Sequence, residues 1–420
     1  MLARIVSKSN MTAAYGQVMA NKGCAGVDGL KLEELKGYLQ THWHELKQTI
    51  LRGEYRPQPV KGVEIAKPHG GKRLLGIPTV LDRLIQQAIH QVLSEKFDKD
   101  FSAYSFGFRK GKSALQAVKL AQNYANTGSR YVVDIDLSQF FDRVNHDYLM
   151  RLLSKKVPDK QLLRLIRRYL QAGILAEGLS SKRTEGTPQG SPLSPLLSNI
   201  LLDELDKELE RRNHRFVRYA DDFSIYLSTK RSAQRVMGSI SRFVESKLKL
   251  KINKQKSAVR YIGHMTLLGY GIYRMRNQQF GLKVQESNWQ SFVRKCKWLT
   301  RKSRPYSFDE RVSALKSLCY GWIGYFRYAN IHSRLKSLDR LLGSRLRYCI
   351  WKSWKRIRTR IRNLKRLGVP EWLAVKWGFT RRGGWHVVQS PILQTTLTNE
   401  RLQKRGFIPT ANIYKRYCHV

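Results

Sequence analysis

Three aspartates stand at the ends of two apolar, strand-like segments. Asp136 follows the run "YVVDI", and Asp221 and Asp222 interrupt "RYADDFSIYL". A charge in an apolar setting is very costly unless it is paired or binds a metal, and a neighbouring like charge raises that cost. If the two segments are neighbours in one sheet, the three carboxylates converge. Hard divalent cations with oxygen ligands, such as Mg²⁺, would then resolve the repulsion.

Two Mg²⁺ ions about 3.5–4 Å apart activate an attacking hydroxyl and stabilise the leaving oxygen of an in-line displacement. Carried out between a 3′-hydroxyl and a nucleoside triphosphate, that reaction is nucleotidyl transfer. The alternative is that Asp221 and Asp222 are ordinary turn residues, because Asp favours hairpin turns. A bare Asp-Asp pair leaves this alternative open, and the order of the other motifs argues against it.

The charge of the chain predicts a large polyanionic partner. In 420 residues, 78 Lys and Arg stand against 31 Asp and Glu, which gives a formal net charge of +47. That excess is beyond what solubility requires. No apolar run approaches the roughly 20 residues of a membrane span, and no secretory signal is recognisable, so nucleic acid is favoured over a membrane.

The five scattered cysteines form no Cys/His cluster and indicate reduced thiols in a cytosolic protein.

Hydrophobic periodicity predicts the elements that must position the aspartates. Residues 61–80 predict a β-hairpin with "PHGG" as its turn, and a helix follows from Leu81 to about Phe97. "RYVVDIDLSQFFD" predicts a strand that leads into a turn, with Asp134 and Asp136 on one face. A Gly/Pro loop at "GTPQGSP" leads into a helix with one leucine-rich stripe. "RFVRY" and "FSIYL", around "ADD", predict a second hairpin with the aspartates at or beside its turn.

The C-terminal part is basic and aromatic. From Arg340 to Arg366 there are eleven Lys or Arg and no Asp or Glu, interleaved with Tyr348, Trp351 and Trp354. Cations that follow a phosphate backbone, together with rings on which bases stack, are typical of nucleic-acid-binding surfaces. A solvated basic face is the alternative.

The order of these blocks resembles that of group II intron-encoded reverse transcriptase/maturases. The matching blocks are "LGIPTVLDRLIQQAI", "SFGFRKGKSALQAV", "YVVDIDLSQFFDRVNH", "GTPQGSPLSPLLSNILLDELD", "RYADD", "LKLKINKQKSAV" and "LLGYGI". "GWIGYFR" resembles the maturase thumb signature. "YADD" alone is a weak signal, whereas seven ordered blocks over nearly the whole chain are specific.

The resemblance implies an α+β fold of the right-hand polymerase type. Fingers and palm would share an antiparallel palm sheet, followed by an α-helical thumb and a small basic C-terminal domain. The implied domains are residues 1–60 for an N-terminal extension and the start of the fingers, 61–270 for fingers and palm, 271–342 for the thumb or maturase domain, and 343–420 for a basic DNA- and RNA-binding domain.

The resemblance also implies roles for single residues. Asp136, Asp221 and Asp222 would bind two catalytic Mg²⁺ ions. Asp134 is the poorer ligand, because only Asp136 has an aromatic residue at the matching spacing. That aromatic, Phe141, resembles the steric gate that selects dNTPs over NTPs, and packing in the core is its alternative role.

Further residues match the nucleotide pocket of the family. Lys67 and Arg73, on the two arms of the first hairpin, resemble cations that grip the incoming triphosphate. Gln189 and Gly190 match the loop under the nascent base pair, where glycine permits close backbone approach. Lys256 matches a lysine that assists the departure of pyrophosphate as a proton donor.

The resemblance implies that Arg109 supports the template or the nucleotide pocket, and Arg356 and Arg358 of the basic stretch are candidate contacts to template or RNA. "NKGCAGVDG" resembles an N-terminal block that forms a lid over the template. No His/Cys-rich tail of the kind an HNH endonuclease needs is present in the sequence, so the expected type lacks the endonuclease, as in the IIC class.

The implied function is RNA-directed DNA polymerisation that copies intron RNA into cDNA, with maturase activity in splicing and mobility. The implied partners are group II intron RNA, an RNA template with a DNA primer, target DNA and dNTPs, in the bacterial cytoplasm and at the nucleoid. Monomer and homodimer are both compatible with the sequence. Two alternatives stay open: a splicing-only RNA-binding maturase, and a domesticated reverse transcriptase in DNA repair or host defence. The intact candidate residues favour an active polymerase over the first alternative.

Overall fold

The two hairpins predicted from the sequence lie in the first of two units. The computed structural model describes residues 1–66, 72–176, 179–181 and 183–418. The chain divides into a first unit, Met1–Ile262, and a second unit, Gly263–Val420. Within the described ranges, the helices are all too short or too polar to cross a membrane.

The first unit mixes helices with short strands. Its helices are α1 (Leu2–Ile5), α2 (Lys8–Ala20), α3 (Leu35–Leu51), α4 (Val80–Phe97), α5 (Ala114–Asn126), α6 (His146–Ser154), α7 (Lys160–Gln171), α8 (Ser194–Arg211) and α9 (Lys230–Ser246). Its strands are β1 (Val60–Ala66), β2 (Lys72–Ile77), β3 (Tyr131–Ile135), β4 (Ile174–Ala176), β5 (Leu179–Ser181), β6 (Arg215–Tyr219), β7 (Asp222–Leu227) and β8 (Ala258–Tyr261).

An antiparallel sheet with the strand order β6-β7-β3-β8 carries the aspartates. Alternation along β3 sends Val133 and Ile135 into the hydrophobic core, while Asp134 lies on the opposite face. Phe223 and Ile225 of β7 join the same core. This arrangement confirms the predicted α+β class, the antiparallel sheet and the hairpin that contains "ADD".

Helix α8 supplies much of the core beneath this sheet. Its leucine-rich stripe is buried as predicted from the 3.6-residue period. The buried apolar residues of the stripe are Leu196, Leu197, Ile200, Leu201, Leu205 and Leu209. Helix α4 runs from Val80 to Phe97, one residue from the predicted start, and contributes Leu84, Ile85 and Ile89 to the same core.

The first predicted hairpin forms part of a separate mixed sheet. Strand β1 pairs antiparallel with β2 and parallel with β4, and β4 pairs antiparallel with β5. The hairpin arms are therefore as predicted from the alternation of "KGVEIA" and "KRLLGI", whereas its turn, residues 67–71, lies outside the described part.

A buried polar cluster joins the segment before β1 to the start of α4. Asp82 accepts hydrogen bonds from the Tyr55 hydroxyl at 2.8 Å, the Thr79 hydroxyl at 2.9 Å and the backbone N–H of Gln58 at 3.1 Å. Thr79 also caps α4 by accepting from the Asp82 N–H. Burial raises the pKa of Asp82, and the hydrogen bonds act against that shift. The cluster fixes where the β1–β2 hairpin leaves the helical core.

The second unit begins with a small antiparallel sheet and continues as helices. Its strands are β9 (Thr266–Leu267), β10 (Tyr270–Arg274) and β11 (Phe280–Val284). Its helices are α10 (Glu286–Leu299), α11 (Phe308–Tyr325), α12 (His332–Ser353), α13 (Ile357–Arg366), α14 (Glu371–Gly378), α15 (Gly384–Gln389), α16 (Pro391–Thr396), α17 (Asn399–Lys404) and α18 (Thr410–Cys418). The Phe292 and Trp322 rings stack at 4.0 Å between α10 and α11.

The predicted boundary between residues 342 and 343 falls inside α12, which is continuous from His332 to Ser353. Helix α12 packs against both α15 and α18. A basic composition therefore begins in the middle of a helix and does not correspond to a break in the fold. The other predicted boundaries stay predictions.

We expect Asp82→Ala to destabilise the first unit by about 2–4 kcal/mol, because the buried hydroxyls of Tyr55 and Thr79 and the partly buried N–H of Gln58 would lose their acceptor. Urea denaturation and calorimetry of the full chain would measure this change. Asp100→Asn is the control, since it breaks an exposed ion pair with Lys156 and should leave stability nearly unchanged. Equal effects of the two substitutions would contradict a stabilising role for the buried cluster.

Candidate active site

The strand register brings two of the aspartates opposite each other. The β3–β7 ladder ends with Ile135 paired to Phe223, and one further step along both strands places Asp136 opposite Asp222. Directly opposed residues of an antiparallel pair have Cβ atoms about 4.5–5.5 Å apart. Asp221 precedes Asp222 in the turn between β6 and β7, where Tyr219 pairs with Asp222. The predicted convergence is therefore built by the sheet register.

Burial and neighbouring carboxylates change the titration of Asp222. Surrounding protein atoms, and then the charges of neighbouring carboxylates, raise the pKa of Asp222 to about 6, although its side chain is exposed to solvent. The contributing carboxylates are Asp221, Asp136 and Asp134. Burial is also the main cause that raises the pKa of Asp134, and the charge of Arg260 opposes it.

Asp136 is held by the segment that precedes β8. Its backbone N–H donates to the Ser257 hydroxyl at 3.0 Å, and its carbonyl accepts from the Asn253 N–H at 2.9 Å. The exposed ammonium of Lys256 lies 4.0 Å from the Asp136 carboxylate. The "INKQKS" turn therefore carries Lys256 to the aspartates. The charge of Lys256 acts against the rise in the pKa of Asp222.

The donor set fits a divalent cation better than it fits a structural role. Among the described residues, no group of three or more His, Cys, Asp or Glu is arranged as a ready-made metal cage. Mg²⁺ does not need such a cage, because it usually takes one or two carboxylates and completes its octahedron with water and substrate phosphates. Repelling carboxylates at an exposed strand end, with the pKa of one raised, are what a cation would relieve.

The loop after residue 185 is tied to Phe141 and to strand β2. The Thr187 N–H donates to the Phe141 carbonyl at 2.6 Å, so the loop is tied to the predicted gate residue. The Gln189 carbonyl accepts from the Gly76 N–H at 2.9 Å. Gly190 has φ +111°, and a Cβ there would stand 3.0 Å from the Gly76 carbonyl oxygen. Glycine is needed at this position because the loop lies directly on β2.

The structure describes the predicted nucleotide-pocket residues to different extents. Phe141 is partly buried against the core and packs edge-to-face on Phe140 at 5.2 Å, so both predicted roles stay compatible with its position. Arg73 lies in β2 opposite Ile65, and its side chain is outside the described part. Lys67 lies outside the described residues altogether.

Arg109 is not disposed to contact a template. Its guanidinium is only 6% exposed and pairs with Asp98 at 2.6 Å. It also donates to the carbonyl oxygens of Ser102, Ser105 and Asp98. All three guanidinium nitrogens donate to groups inside the protein, so any support that Arg109 gives to the template or the nucleotide pocket is indirect. Sequence reasoning missed this, because an exposed and a buried arginine look alike within "FRKGK".

The basic stretch of the second unit also contains both exposed and buried residues. Arg356 and Arg358 are exposed at the start of α13, as a nucleic-acid contact requires. Trp351 is 2% exposed and packs beneath the Arg360 guanidinium, so it does not offer a face for base stacking. Exposed rings occur instead at Trp372 and Phe379, which the sequence did not single out.

A buried ion pair next to the aspartates was also missed. Arg218, at the start of the quoted "RYADD", is completely buried and pairs with Asp206 of α8 at 2.6 Å. The available signals were an arginine inside a strand and an aspartate within the leucine-rich part of a helix. Both are residue types that are almost never fully buried unless paired.

Family models match most of the chain. The model described as reverse transcriptase (RNA-dependent DNA polymerase) matches residues 65–301. The model described as the maturase-specific domain of group II introns matches residues 289–368. The first match contains Asp136, Asp221 and Asp222.

The chain is also similar to curated proteins, among them a group II intron-encoded protein. Protein YkfC of Escherichia coli is 30% identical over 67% of this chain and 85% of its own length. The group II intron-encoded protein LtrA of Lactococcus lactis is 28% identical over 80% of this chain and 67% of its own length. A solved telomerase structure from Candida albicans covers 79% of this chain and 65% of its own, with 13% identity and a TM-score of 0.44, which is too distant to support an argument.

The first family match extends over more than half of the chain, and YkfC passes 30% identity over most of its own length. Enzymes of this family use divalent metal ions, in agreement with the carboxylate chemistry of the site. The maturase-specific match extends the assignment to residues 289–368 of the second unit. The chain therefore belongs to the reverse transcriptase family, as an RNA-directed DNA polymerase of the group II intron reverse transcriptase/maturase type.

Proposed function

We propose that Asp136, Asp221 and Asp222 hold two Mg²⁺ ions and that this site joins dNTPs to a DNA primer on an RNA template. The observation that carries the proposal is the register that sets Asp136 opposite Asp222 at the end of the β3–β7 ladder. Two ions at such a site would activate the primer hydroxyl and stabilise the leaving oxygen of pyrophosphate. The carboxylates supply the negative charge that positions them.

The remaining groups bind and orient the nucleotide. Lys256, 4.0 Å from Asp136, is close enough to the carboxylates to donate a proton to departing pyrophosphate. Gln189 and Gly190 would support the nascent base pair from the loop that rests on β2. Lys67 and Arg73 would hold the triphosphate by charge-assisted hydrogen bonds.

Phe141 is proposed to select the sugar. Its backbone carbonyl is tied to the loop at Thr187, and its ring packs on Phe140, so the ring has little freedom to yield. A rigid ring under the sugar would clash with a 2′-hydroxyl and so favour dNTPs.

The RNA-binding role of the family assigns a partner to the basic surface. We propose group II intron RNA, the RNA template with its DNA primer, and target DNA as the polyanions that the excess of cations binds, with Arg356 and Arg358 among the contacts. Each neutralised phosphate releases counterions, so binding should weaken steeply with salt. The maturase-specific match to residues 289–368 supports a role in intron splicing.

We expect Asp221→Asn to lower primer extension on an RNA template by on the order of 10²-fold or more, because the substitution removes a negatively charged ligand of the proposed Mg²⁺ ions. RNA affinity, and the splicing of a bound group II intron RNA, should stay close to wild type. Primer extension with dNTPs and Mg²⁺, filter binding and a splicing assay would measure the three quantities.

Asp147→Asn is the matched control, because it removes an exposed acid that pairs with Arg167 in the same unit. It should leave all three quantities unchanged. If the wild type makes no cDNA while it binds RNA tightly and supports splicing, the polymerase proposal fails and the splicing-only maturase takes its place.

The raised pKa of Asp222 predicts a pH dependence in the metal-free protein. The folded carboxyl binds its proton with a pKa of about 6, against an ordinary value of 3.8. The folded state therefore binds more protons than the unfolded state between these values, and stability falls as pH rises through that window.

Thermal denaturation in EDTA should show this fall in the wild type, whereas Asp222→Asn should show a smaller one and should be the more stable protein above pH 6. Mg²⁺ should reduce this difference in stability between the two proteins, because it neutralises the repulsion between the carboxylates. A difference between the two proteins that does not change from pH 4 to pH 7 would count against the shift.

A further inference from the structure

The turn that carries Asp221 and Asp222 is held by a buried guanidinium. Arg218 of β6 donates through Nε to Asp206 Oδ1 at 2.8 Å and through Nη2 to Asp206 Oδ2 at 2.6 Å. Both side chains are 0% exposed. The pairing is bidentate, which fixes the plane of the guanidinium relative to helix α8.

The third nitrogen of the same fork reaches the turn itself. Arg218 Nη1 donates to the Ala220 carbonyl oxygen at 3.0 Å and to Asn199 Oδ1 at 2.9 Å. The Ala220 carbonyl belongs to the peptide that joins Ala220 to Asp221. Helix α8 thus sets the orientation of that peptide through one rigid side chain.

The turn is confined from its other side as well. Asn199 Nδ2 donates to the Gly107 carbonyl oxygen at 2.9 Å. A Cβ on Gly107 would stand 2.3 Å from the Ala220 nitrogen, so the backbone at residue 107 lies directly against the turn. Ala220 itself has φ +56°, a left-handed conformation that costs a non-glycine residue energy and persists only where its surroundings enforce it.

We propose that Arg218 is a positioning residue, which together with Asp206 and Asn199 fixes the Ala220–Asp221 peptide so that Asp221 and Asp222 face the metal ions. This inference rests on the proposed function and assigns Arg218 no contact with substrate. Stability alone does not explain the arrangement, because well-packed apolar residues often replace a buried ion pair without loss of stability. Such residues would have no donor for the Ala220 carbonyl.

The test separates the hydrogen bond to the turn from the stability of the fold. Arg218→Met combined with Asp206→Leu replaces the ion pair by apolar side chains of similar size and should still fold, with a melting temperature below wild type because the Ala220 carbonyl and Asn199 lose a donor. We expect its kcat for primer extension to fall about 10²-fold, with the KM for primer–template unchanged. Its affinity for Mn²⁺, measured by EPR without nucleic acid or dNTP, should fall about tenfold.

Arg218→Lys is the second variant, in case the double variant does not fold. The lysine keeps the charge beside Asp206 but lacks the fork that reaches Ala220, so it should fold and show the same losses of kcat and Mn²⁺ affinity. Asp203→Asn is the control, because Asp203 is buried on the same helix and pairs with Lys207. It should keep wild-type kcat and Mn²⁺ affinity.

The inference is overturned if either folded Arg218 variant polymerises and binds Mn²⁺ like the wild type. That result is distinct from a failure of the proposed function, in which the wild type itself would show no polymerisation and no Mn²⁺ binding sensitive to Asp221→Asn. Losses in Asp203→Asn equal to those in the Arg218 variants would also overturn it, because they would show a general effect of disturbing α8.

Discussion

Repulsion between carboxylates is the interaction on which the rest of the structure depends. The β3–β7 register, continued by one step, opposes Asp136 and Asp222. Burial, and then the charges of Asp221 and Asp136, raise the pKa of Asp222. Left to a flexible chain, such groups would move apart or take up protons. The apolar face of the sheet, packed on α8 and α4, prevents the first response by making the strand ends rigid. A bound cation would neutralise the repulsion and so remove the tendency of the carboxylates to take up protons.

Two kinds of support act at different distances from the aspartates. Apolar packing fixes the strands, and it tolerates changes of residue as long as volume is kept. Hydrogen bonds to backbone carbonyls fix the turn and the loop at Gln189, where direction matters as well as position. A polymerase site needs both, because the reacting groups must be held within about 0.5 Å of a productive geometry.

The basic composition serves the interior as well as the surface. Arg311 is only 4% exposed. It donates to three backbone carbonyls, one at the last residue of α10 and two in the loop that follows. Arg347 and Arg218 are likewise buried. The formal charge of +47 therefore overstates the cations available to RNA, whereas exposed arginines such as Arg356 and Arg358 remain available to phosphates.

The sequence by itself determined the first hairpin, the strand before Asp136 and the hairpin at "ADD", because alternation and turn residues act over a few neighbours. It also indicated the family through the order of its motifs. Only the tertiary structure decided that Arg109 and Trp351 are buried, that α12 runs through the predicted boundary and that Arg218 reaches the turn. These outcomes depend on which distant segments pack together, and a residue's own type and neighbours do not contain that information.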